Sequence, residues 1–392
     1  MSDALLSAPV AIVGEVIAAS LIVIASTKIR KSEKNINPAL MGVMGAFIFA
    51  AQMINFTIPG TGSSGHIVGG ILLSCLLGAW PAFLTLSSVL IIQSLLFADG
   101  GILAMGWNII NMAASSCLIA YPLIMKPFLE KFKNKQELSY YNNSDRNNLS
   151  DSSADKSDIN NNQDNKEKKK LPVWGFILIT ILSCLIGLEI GAFGVTIETL
   201  ISGITSLPFD KFLAFMLSIH FFIGIGEGLA TSAILVFILK YKPELIINNE
   251  NQKDKKSYKG LIWKFAIAAI LVGGVLSWYA SSFPDGLEWS IEKVETASTE
   301  ESPTTNNKLH NLSKAIQDKS SVFPDYSFAD EIEENNDNET QVPGITSERT
   351  QTSAAGISGA LMVLIATIII TFFISRKRRN KEKDSNYKNE KS

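Results

Sequence analysis

Residues 172–200 read PVWGFILITILSCLIGLEIGAFGVTIETL, and this stretch decides the class of fold. It is long enough to cross the hydrocarbon core of a bilayer as a helix, for which about 20 apolar residues are needed. Its only charged residues are Glu189 and Glu198. A surface helix of a soluble protein would carry charges along one whole face. The stretch therefore predicts a transmembrane helix.

Further apolar stretches predict further transmembrane helices. They lie at about 8–27, 39–58, 67–80, 82–98, 102–124, 211–240, 261–281 and 354–375. The stretch at 67–80 is short and rich in glycine. We interpret the first stretch as a retained span, because no basic region precedes it as in a signal peptide. Together the stretches predict an all-α membrane protein.

Charge is scarce in this chain and unevenly distributed. Charged residues make up 18% of the 392 residues, whereas about a quarter is usual in globular domains. A nucleic-acid-binding protein needs a basic surface, and a disordered chain lacks long apolar stretches, so both classes are excluded. The cysteines form no C-x-x-C pair, which argues against a zinc knuckle or a disulfide framework. They are Cys75, Cys117 and Cys184.

The basic residues predict the orientation of the chain, because cytoplasmic loops are enriched in Lys and Arg. A basic cluster at 28–34 follows the first span, and another at 376–379 follows the last. The loops at 57–66 and 98–101 contain neither Lys nor Arg. We therefore expect the N-terminus outside the cell and the C-terminus in the cytoplasm. Omitting the span at 67–80 would invert every later one.

Polar stretches divide the chain into two predicted modules. Residues 1–138 and 171–245 would form a module of about seven helices, interrupted by a disordered cytoplasmic linker at 139–170. Residues 255–392 would form a second module with two spans. These two spans are separated by an acid-rich loop at 282–353, which would lie outside.

Residues 60–65 match the dinucleotide-binding pattern G-x-G-x-x-G, but their context does not. They follow a membrane span, and residues 75–95 lack the acidic residue that the pattern requires. A phosphate-binding loop would continue with Lys, whereas this chain has His66. Both nucleotide-binding interpretations therefore fail, and a flexible outer turn is the plain alternative explanation for these glycines. His66 is a candidate metal ligand, although an ordinary turn histidine is an alternative.

Other polar residues inside predicted spans are candidates for function. His220 and Glu227 are seven residues apart and share one helix face. They could bind a substrate, or they could be a buried pair that locks helix packing. Glu189 and Glu198 are weaker candidates of the same kind.

Three polar residues lie near the start of the span at 102–124. Asp99 could cap the N-terminus of this helix. Asn108 and Asn111 stand one turn apart and could hydrogen-bond to a neighbouring loop. His310 lies in the polar outer loop, and the sequence assigns it no role.

Four motifs resemble the substrate-capture proteins of cobalt and nickel energy-coupling-factor transporters (CbiM/NikM type). They are residues 41–47 (MGVMGAF), 51–56 (AQMINF), 62–66 (GSSGH) and 97–101 (FADGG). The second module, with PDGLE at 284–288, is similar to the small two-span partner of the same transporters (CbiN/NikN type).

This resemblance implies a membrane protein that binds Co²⁺ or Ni²⁺ as substrate at its outer face and is not itself an enzyme. Its partners would be a transmembrane coupling subunit, cytoplasmic ATPase subunits and the lipid bilayer, with no nucleic acid. In the family the metal is held by nitrogens of a Met-His start and by the histidine that corresponds to His66. Planar nitrogen ligands of this kind suit Ni²⁺ or a similar late divalent metal.

This chain departs from the family at its start, which reads Met1-Ser2-Asp3 without a second-position histidine. One hypothesis is that a misplaced start codon removed two residues, so that Met1 is not itself the ligand. The alternative is weaker binding or other ligands.

We therefore expect capture of Co²⁺ or Ni²⁺ for import, with cobalt slightly favoured as a supply for cobalamin synthesis. A nickel-specific importer is one alternative. A metal sensor using the loop at 282–353 and a membrane enzyme using His220 and Glu227 are the others.

Overall fold

The fold is described from a computed structural model of the chain. It covers residues 1–32, 37–131, 173–247, 256–297, 308–327 and 345–389. The predicted linker at 139–170 lies outside these residues.

The described residues are mainly helical, as the apolar stretches predicted. The helices are α1 (Ala8–Lys31), α2 (Pro38–Gln52), α3 (Gly70–Leu77), α4 (Ala79–Leu96), α5 (Met105–Lys131), α6 (Val173–Ser202), α7 (Phe209–Tyr241), α8 (Lys256–Gly274), α9 (Gly286–Ala297), α10 (Lys308–Ser320) and α11 (Ile345–Asn389). Strands β1 (Phe56–Ile58) and β2 (Ser63–Gly65) pair as an antiparallel hairpin. Single helical turns occur at Asp3–Leu5, Glu244–Ile247, Leu276–Tyr279 and Pro324–Tyr326.

Six helices of the described chain are long and apolar enough to cross a membrane. They are α1, α4, α5, α6, α7 and the Arg349–Ile374 part of α11. Large apolar side chains on their outer faces are exposed; Val16 and Val23 of α1, for example, are 60% and 65% exposed. Such faces are stable against lipid rather than water. The fold is thus an all-α, multi-pass membrane protein, as predicted.

Helix α2 lies at the centre of the bundle. Every residue from Leu40 to Gln52 is buried, and α2 packs against α4, α8 and α11. Helices α8 and α11 come from the second predicted module, so both modules contribute to one helical bundle. The helix ends at Gln52 instead of continuing to residue 58 as predicted, because the chain turns there into the hairpin.

The third predicted span, at 67–80, is not a continuous helix. Helix α3 has eight residues, about 12 Å of helix, which is too short to cross a bilayer. The preceding residues 66–69 are not helical, and Gly69 has a left-handed φ of 78°. Leu77 and Trp80 pack beside Ile29 at the far end of α1. The non-helical residues and α3 together therefore cross the bundle.

The interrupted span needs partners for its backbone, because water cannot supply them inside a bilayer. Glu227 of α7 accepts a hydrogen bond from the Gly69 amide at its Oε1 (2.9 Å). The Gln52 side chain donates from Nε2 to the Val68 carbonyl (3.0 Å). These two contacts favour the interpretation of Glu227 as a residue that locks packing.

We expect Glu227→Ala to destabilise the protein by about 1–3 kcal/mol, because it leaves the buried Gly69 amide without an acceptor. The effect should be large because Glu227 is only 1% exposed. Glu227→Gln is the matched control, since its amide oxygen can still accept this bond. Thermal unfolding in detergent measures both variants, and equal losses in the two would contradict the backbone role.

The loop predicted outside the membrane at 282–353 contains regular structure. Helices α9 and α10 and the turn Pro324–Tyr326 lie within it. Both helices pack at one end of the bundle: α9 contacts α7, and α10 contacts α4. This end, which also contains Met1, is called the Met1 end below.

Candidate metal centre

The glycine-rich segment at 60–65 forms the turn of the hairpin, in agreement with the interpretation of these glycines as a turn. Gly60 and Gly62 have φ values of 77° and 76°, which other residues rarely adopt. Phe56 pairs with Gly65 across the hairpin. A side chain at Gly65 would lie 2.6 Å from Ile223 of α7, so glycine allows the hairpin to pack directly on that helix.

A cavity of about 120 Å³ begins at this hairpin and continues between α5, α6 and α7. It brings together six of the nine candidate residues from the sequence. They are Met1, His66, Asn108, Asn111, His220 and Glu227. Asp99, Glu189 and Glu198 do not line it.

The two histidines of the cavity differ in how their rings are oriented. His220 Nδ1 lies 2.7 Å from the Met216 carbonyl oxygen, so Nδ1 carries the hydrogen and Nε2 keeps a free lone pair. Metal-binding histidines are commonly oriented by such a bond. His66 has only a long contact, 3.4 Å, between Nδ1 and the Ile67 oxygen. Its ring is thus free to present either nitrogen.

The first residue is held inside the cavity by the loop before α5. The Met1 carbonyl oxygen accepts hydrogen bonds from the Gly101 amide (3.1 Å) and from Asn108 Nδ2 (3.4 Å). Asn108 therefore bonds to the N-terminal segment. Asn111 instead donates from Nδ2 to both carboxylate oxygens of Glu198 on α6 (3.0 and 2.9 Å), and this orients its side chain in the wall.

The prediction that Asp99 caps the helix at 102–124 is wrong. The loop turns at Ala98 and Gly100, which both have positive φ, and Asp99 Oδ2 accepts from the Tyr326 hydroxyl (2.5 Å). The acceptors at the start of α5 come from elsewhere. Asp3 Oδ1 accepts from the Ala104 amide (3.0 Å), and Glu15 Oε1 accepts from the Gly106 amide (2.7 Å).

The PDGLE motif begins helix α9 and closes one side of the cavity. Asp285 Oδ1 accepts from the Glu288 amide (2.8 Å), and Glu288 Oε2 accepts from the Asp285 amide (3.3 Å). This reciprocal pair is a capping box, which fixes the start of a helix. A side chain at Gly286 would lie 3.0 Å from His220 Cε1. Glycine therefore lets the motif lie directly over that ring.

The same motif is bonded to the hairpin. The Ser64 amide donates to the Pro284 carbonyl oxygen (2.8 Å), and the Ser64 hydroxyl donates to the Phe283 carbonyl oxygen (2.7 Å). Trp289 Nε1 donates to the Thr61 carbonyl oxygen (2.9 Å). The segment that carries His66 is thus held in place by the second module.

Residues 308–327, which we call the strap, cross the Met1 end beside this cavity. Gln317 Nε2 donates to the carbonyl oxygens of Ser94 (3.0 Å) and Gly100 (2.8 Å). The rings of Phe323 and Tyr326 stack on Phe97, with centroids 5.8 and 5.2 Å away. The strap is therefore attached to the end of α4 and to the loop that follows it.

Several carboxylates lie close enough to repel one another at the end of the strap. Burial raises the pKa of Asp325, and the nearby Asp99 carboxylate raises it further. Burial likewise raises the pKa of Glu288, with the carboxylates of Asp285, Glu292 and Asp325 adding to the effect. An acid whose pKa is raised by docking favours docking when it is protonated. For Asp325, this stabilisation of the docked strap is complete below the ordinary aspartate pKa of 3.8 and is lost as the pH rises through the raised pKa.

We expect Asp325→Asn to tighten the strap at pH 7, because it removes the charge that docking buries beside Asp99. Hydrogen exchange of the amides at 308–327, corrected for intrinsic rates, measures the strap. Exchange should be severalfold slower in the variant at pH 7, and the difference should disappear near pH 4. A difference of the same size at both values would contradict an origin in this charge.

The side chains alone do not complete a metal site in the part of the chain that is described. No three His, Cys, Asp or Glu residues converge there in a geometry that could hold an ion. A site in this cavity would therefore need ligands from Met1 or the backbone beside the two histidines. Sequence reasoning also missed His310 and Asp3, which contact each other at the Met1 end. The rarity of histidine, three in the chain, was the one available signal for His310.

Comparison with known proteins places both parts of the chain. Residues 1–145 and 159–245 match a family described as the cobalt uptake substrate-specific transmembrane region, and residues 259–376 match the PDGLE domain. A putative fused nickel transport protein NikMN from Archaeoglobus fulgidus is 30% identical over 246 residues, covering 62% of this chain and 65% of that protein.

Other relatives match over shorter segments. A probable fused nickel transport protein LarMN from Lactiplantibacillus plantarum is 45% identical over 82 residues, 21% of this chain and 25% of that protein. A solved structure titled as a truncated transition metal transporter has a TM-score of 0.44 at 24% identity, covering 62% of this chain and 98% of that one. The chain thus spans less than two thirds of the curated relatives named here. The family model matches more than half of the chain, and the chain therefore belongs to the cobalt uptake substrate-specific transmembrane family, with a PDGLE domain after it.

Proposed function

We propose that this protein is the substrate-binding component of an importer for Co²⁺ or Ni²⁺ and captures the ion at the extracellular face. The observation that carries the proposal is the cavity at the Met1 end, where Met1, His66 and His220 line one space. The family assignment supports a role in metal uptake, and relatives are named as a putative nickel transport protein and as a cobalt transport protein.

The ion would be held by nitrogen ligands. His66 and the N-terminal end of the chain would supply ligands, and His220 Nε2, whose lone pair is free, would supply another. Imidazole nitrogens suit late divalent metals such as Co²⁺ and Ni²⁺ better than Mg²⁺ or Ca²⁺. Glu198 would act indirectly, since it orients Asn111 in the wall of the cavity.

The identity of the N-terminal ligand depends on where the mature chain begins. Met1 would be the ligand if the chain begins as written, whereas a longer start would supply other nitrogens. Mass spectrometry of the N-terminus of the native protein decides between them. A mature chain beginning Met-Ser-Asp would contradict the hypothesis of two missing residues.

The protein would bind the ion, and partners would supply the energy. We infer that a transmembrane coupling subunit and cytoplasmic ATPase subunits assemble with it, and that the chain itself is not an enzyme. The N-terminus would lie outside the cell and the C-terminus in the cytoplasm. The basic residues Lys28, Arg30 and Lys31 in the last turn of α1 support this orientation, because α1 separates them from the cavity.

Two measurements test the proposal. The purified protein should bind Co²⁺ or Ni²⁺ at one site per chain, and cells should accumulate the same ion only when the coupling and ATPase subunits are also present. The absence of binding to both ions would refute it. Binding without accumulation in complete cells would support a sensor instead. Comparing the two ions tests which of them is the substrate. We prefer cobalt, as a supply for cobalamin synthesis, whereas several relatives are named as nickel transport proteins.

A further inference from the structure

Asp3 lies between the metal-capture part of the chain and the strap. Its Oδ1 accepts from the Ala104 amide (3.0 Å), as described above. Its Oδ2 accepts from the Ser313 hydroxyl of α10 (2.6 Å). The two carboxylate oxygens of Asp3 therefore join α10 to the start of α5, two residues away from Met1.

His310 of α10 holds the main chain of the same segment. Its Nε2 lies 3.1 Å from the Asp3 carbonyl oxygen and 2.9 Å from that of Leu6. Because both contacts are acceptors, Nε2 must carry the hydrogen and donate to them. Nδ1 is buried without a hydrogen-bond partner among the described residues. The imidazole is thus used as a single donor to the N-terminal segment.

The strap is attached to the protein independently of this segment. Ser320 Oγ donates to the Leu95 carbonyl oxygen (2.8 Å), and the amides of Val322 and Phe323 donate to that of Leu96 (3.0 and 3.1 Å). With the Gln317 bonds, these contacts place α10 at a fixed position on α4. His310 and Ser313 are therefore presented to the N-terminal segment from a rigid element.

We infer that His310 and Ser313 are positioning residues for metal capture, which hold the first residues so that Met1 stays in the cavity. This inference rests on the proposed function. They touch the segment that carries the N-terminal ligand and do not line the cavity themselves. An ion can bind with full affinity only when that segment is docked, and the apparent affinity falls with the docked fraction.

The test uses the full-length protein with His310→Ala and Ser313→Ala combined. Lys314→Ala is the matched control, because Lys314 is exposed on the same helix. His310→Gln is the conservative variant, since its amide nitrogen can still donate. The readouts are the dissociation rate of Co²⁺ or Ni²⁺, the thermal unfolding temperature, and labelling of a Leu5→Cys reporter by a membrane-impermeant maleimide. Leu5 is 5% exposed, and the three native cysteines are buried.

The double variant should release the ion about tenfold faster, because the three hydrogen bonds that His310 and Ser313 donate to the N-terminal segment are lost, and its reporter should be labelled faster. The Lys314→Ala control and the wild type should behave alike. His310→Gln should retain most of the slow release and slow labelling of the wild type, and the unfolding temperature should not change in any of these variants. Unchanged labelling and release would overturn the inference, as would a lowered unfolding temperature that the glutamine does not rescue. If the wild type binds neither ion, the proposed function fails, whereas the labelling still decides what His310 and Ser313 do.

Discussion

His66→Ala is expected to reduce accumulation of Co²⁺ or Ni²⁺ to background while the protein remains in the membrane. The variant removes one of only two histidines that line the cavity. Loss of a group that merely orients a ligand already lowers metal affinity about 10- to 100-fold, so loss of His66, a direct ligand in the proposed site, should lower it more than about 100-fold. Uptake and equilibrium binding measure the effect.

The fold should tolerate His66→Ala, because the ring makes only a long contact with the Ile67 oxygen. Thr57→Ala is the matched control in the same hairpin. It removes an exposed hydroxyl whose partner is the Ser281 hydroxyl (2.9 Å), and it should accumulate metal normally. Wild-type uptake by the His66 variant would remove this residue from the site.

Gly101→Ala should displace the N-terminal segment and with it the proposed ligand at the start of the chain. A methyl group at this position would overlap the Asp3 carboxylate and lie 2.6 Å from the Asp3 amide nitrogen. Since one of the overlapping atoms belongs to the Asp3 main chain, a change of side-chain rotamer cannot relieve the overlap. The main chain of the segment would have to move. Overpacking of this kind costs about 1–3 kcal/mol, which corresponds to about a 5- to 150-fold loss of affinity.

Gly260→Ala is the matched control for this prediction. Gly260 lies in α8 with no atom within 4 Å of the added methyl group, so the same substitution should leave metal binding unchanged. Isothermal calorimetry with Co²⁺ and Ni²⁺ measures both variants. Equal affinities for Gly101→Ala and the wild type would show that docking of residues 1–7 does not contribute to binding.

The helical membrane fold could be predicted from the sequence because transmembrane helices need long apolar stretches. The interruption of the third span could not. Its composition is as apolar as that of a helix, and its break depends on distant residues that satisfy the backbone. Glu227 and Gln52, which do so, lie on two other helices. A local pattern contains no information about such partners.

The residues that meet in the candidate site could be predicted from the sequence to a similar extent. His66 and Met1 were expected together from the resemblance and the topology, and both line the cavity. The role expected of Asp99 falls to Asp3 and Glu15, because the loop conformation at Ala98 and Gly100 determines where the carboxylate lies. His310 acquires its contacts only when residues more than 300 positions apart meet. Long-range pairing of this kind requires the folded chain.

The hydrogen bonds between the hairpin and the PDGLE motif join two segments of one polypeptide. Ser64 meets Pro284 as an intramolecular partner, so the local concentration of one segment around the other is set by the chain that connects them. Closure over the cavity should therefore be insensitive to dilution and to expression level, and the two parts are always made in equal number. If the chain were cut between 247 and 256 and the halves were produced separately, closure would become a bimolecular equilibrium that weakens on dilution.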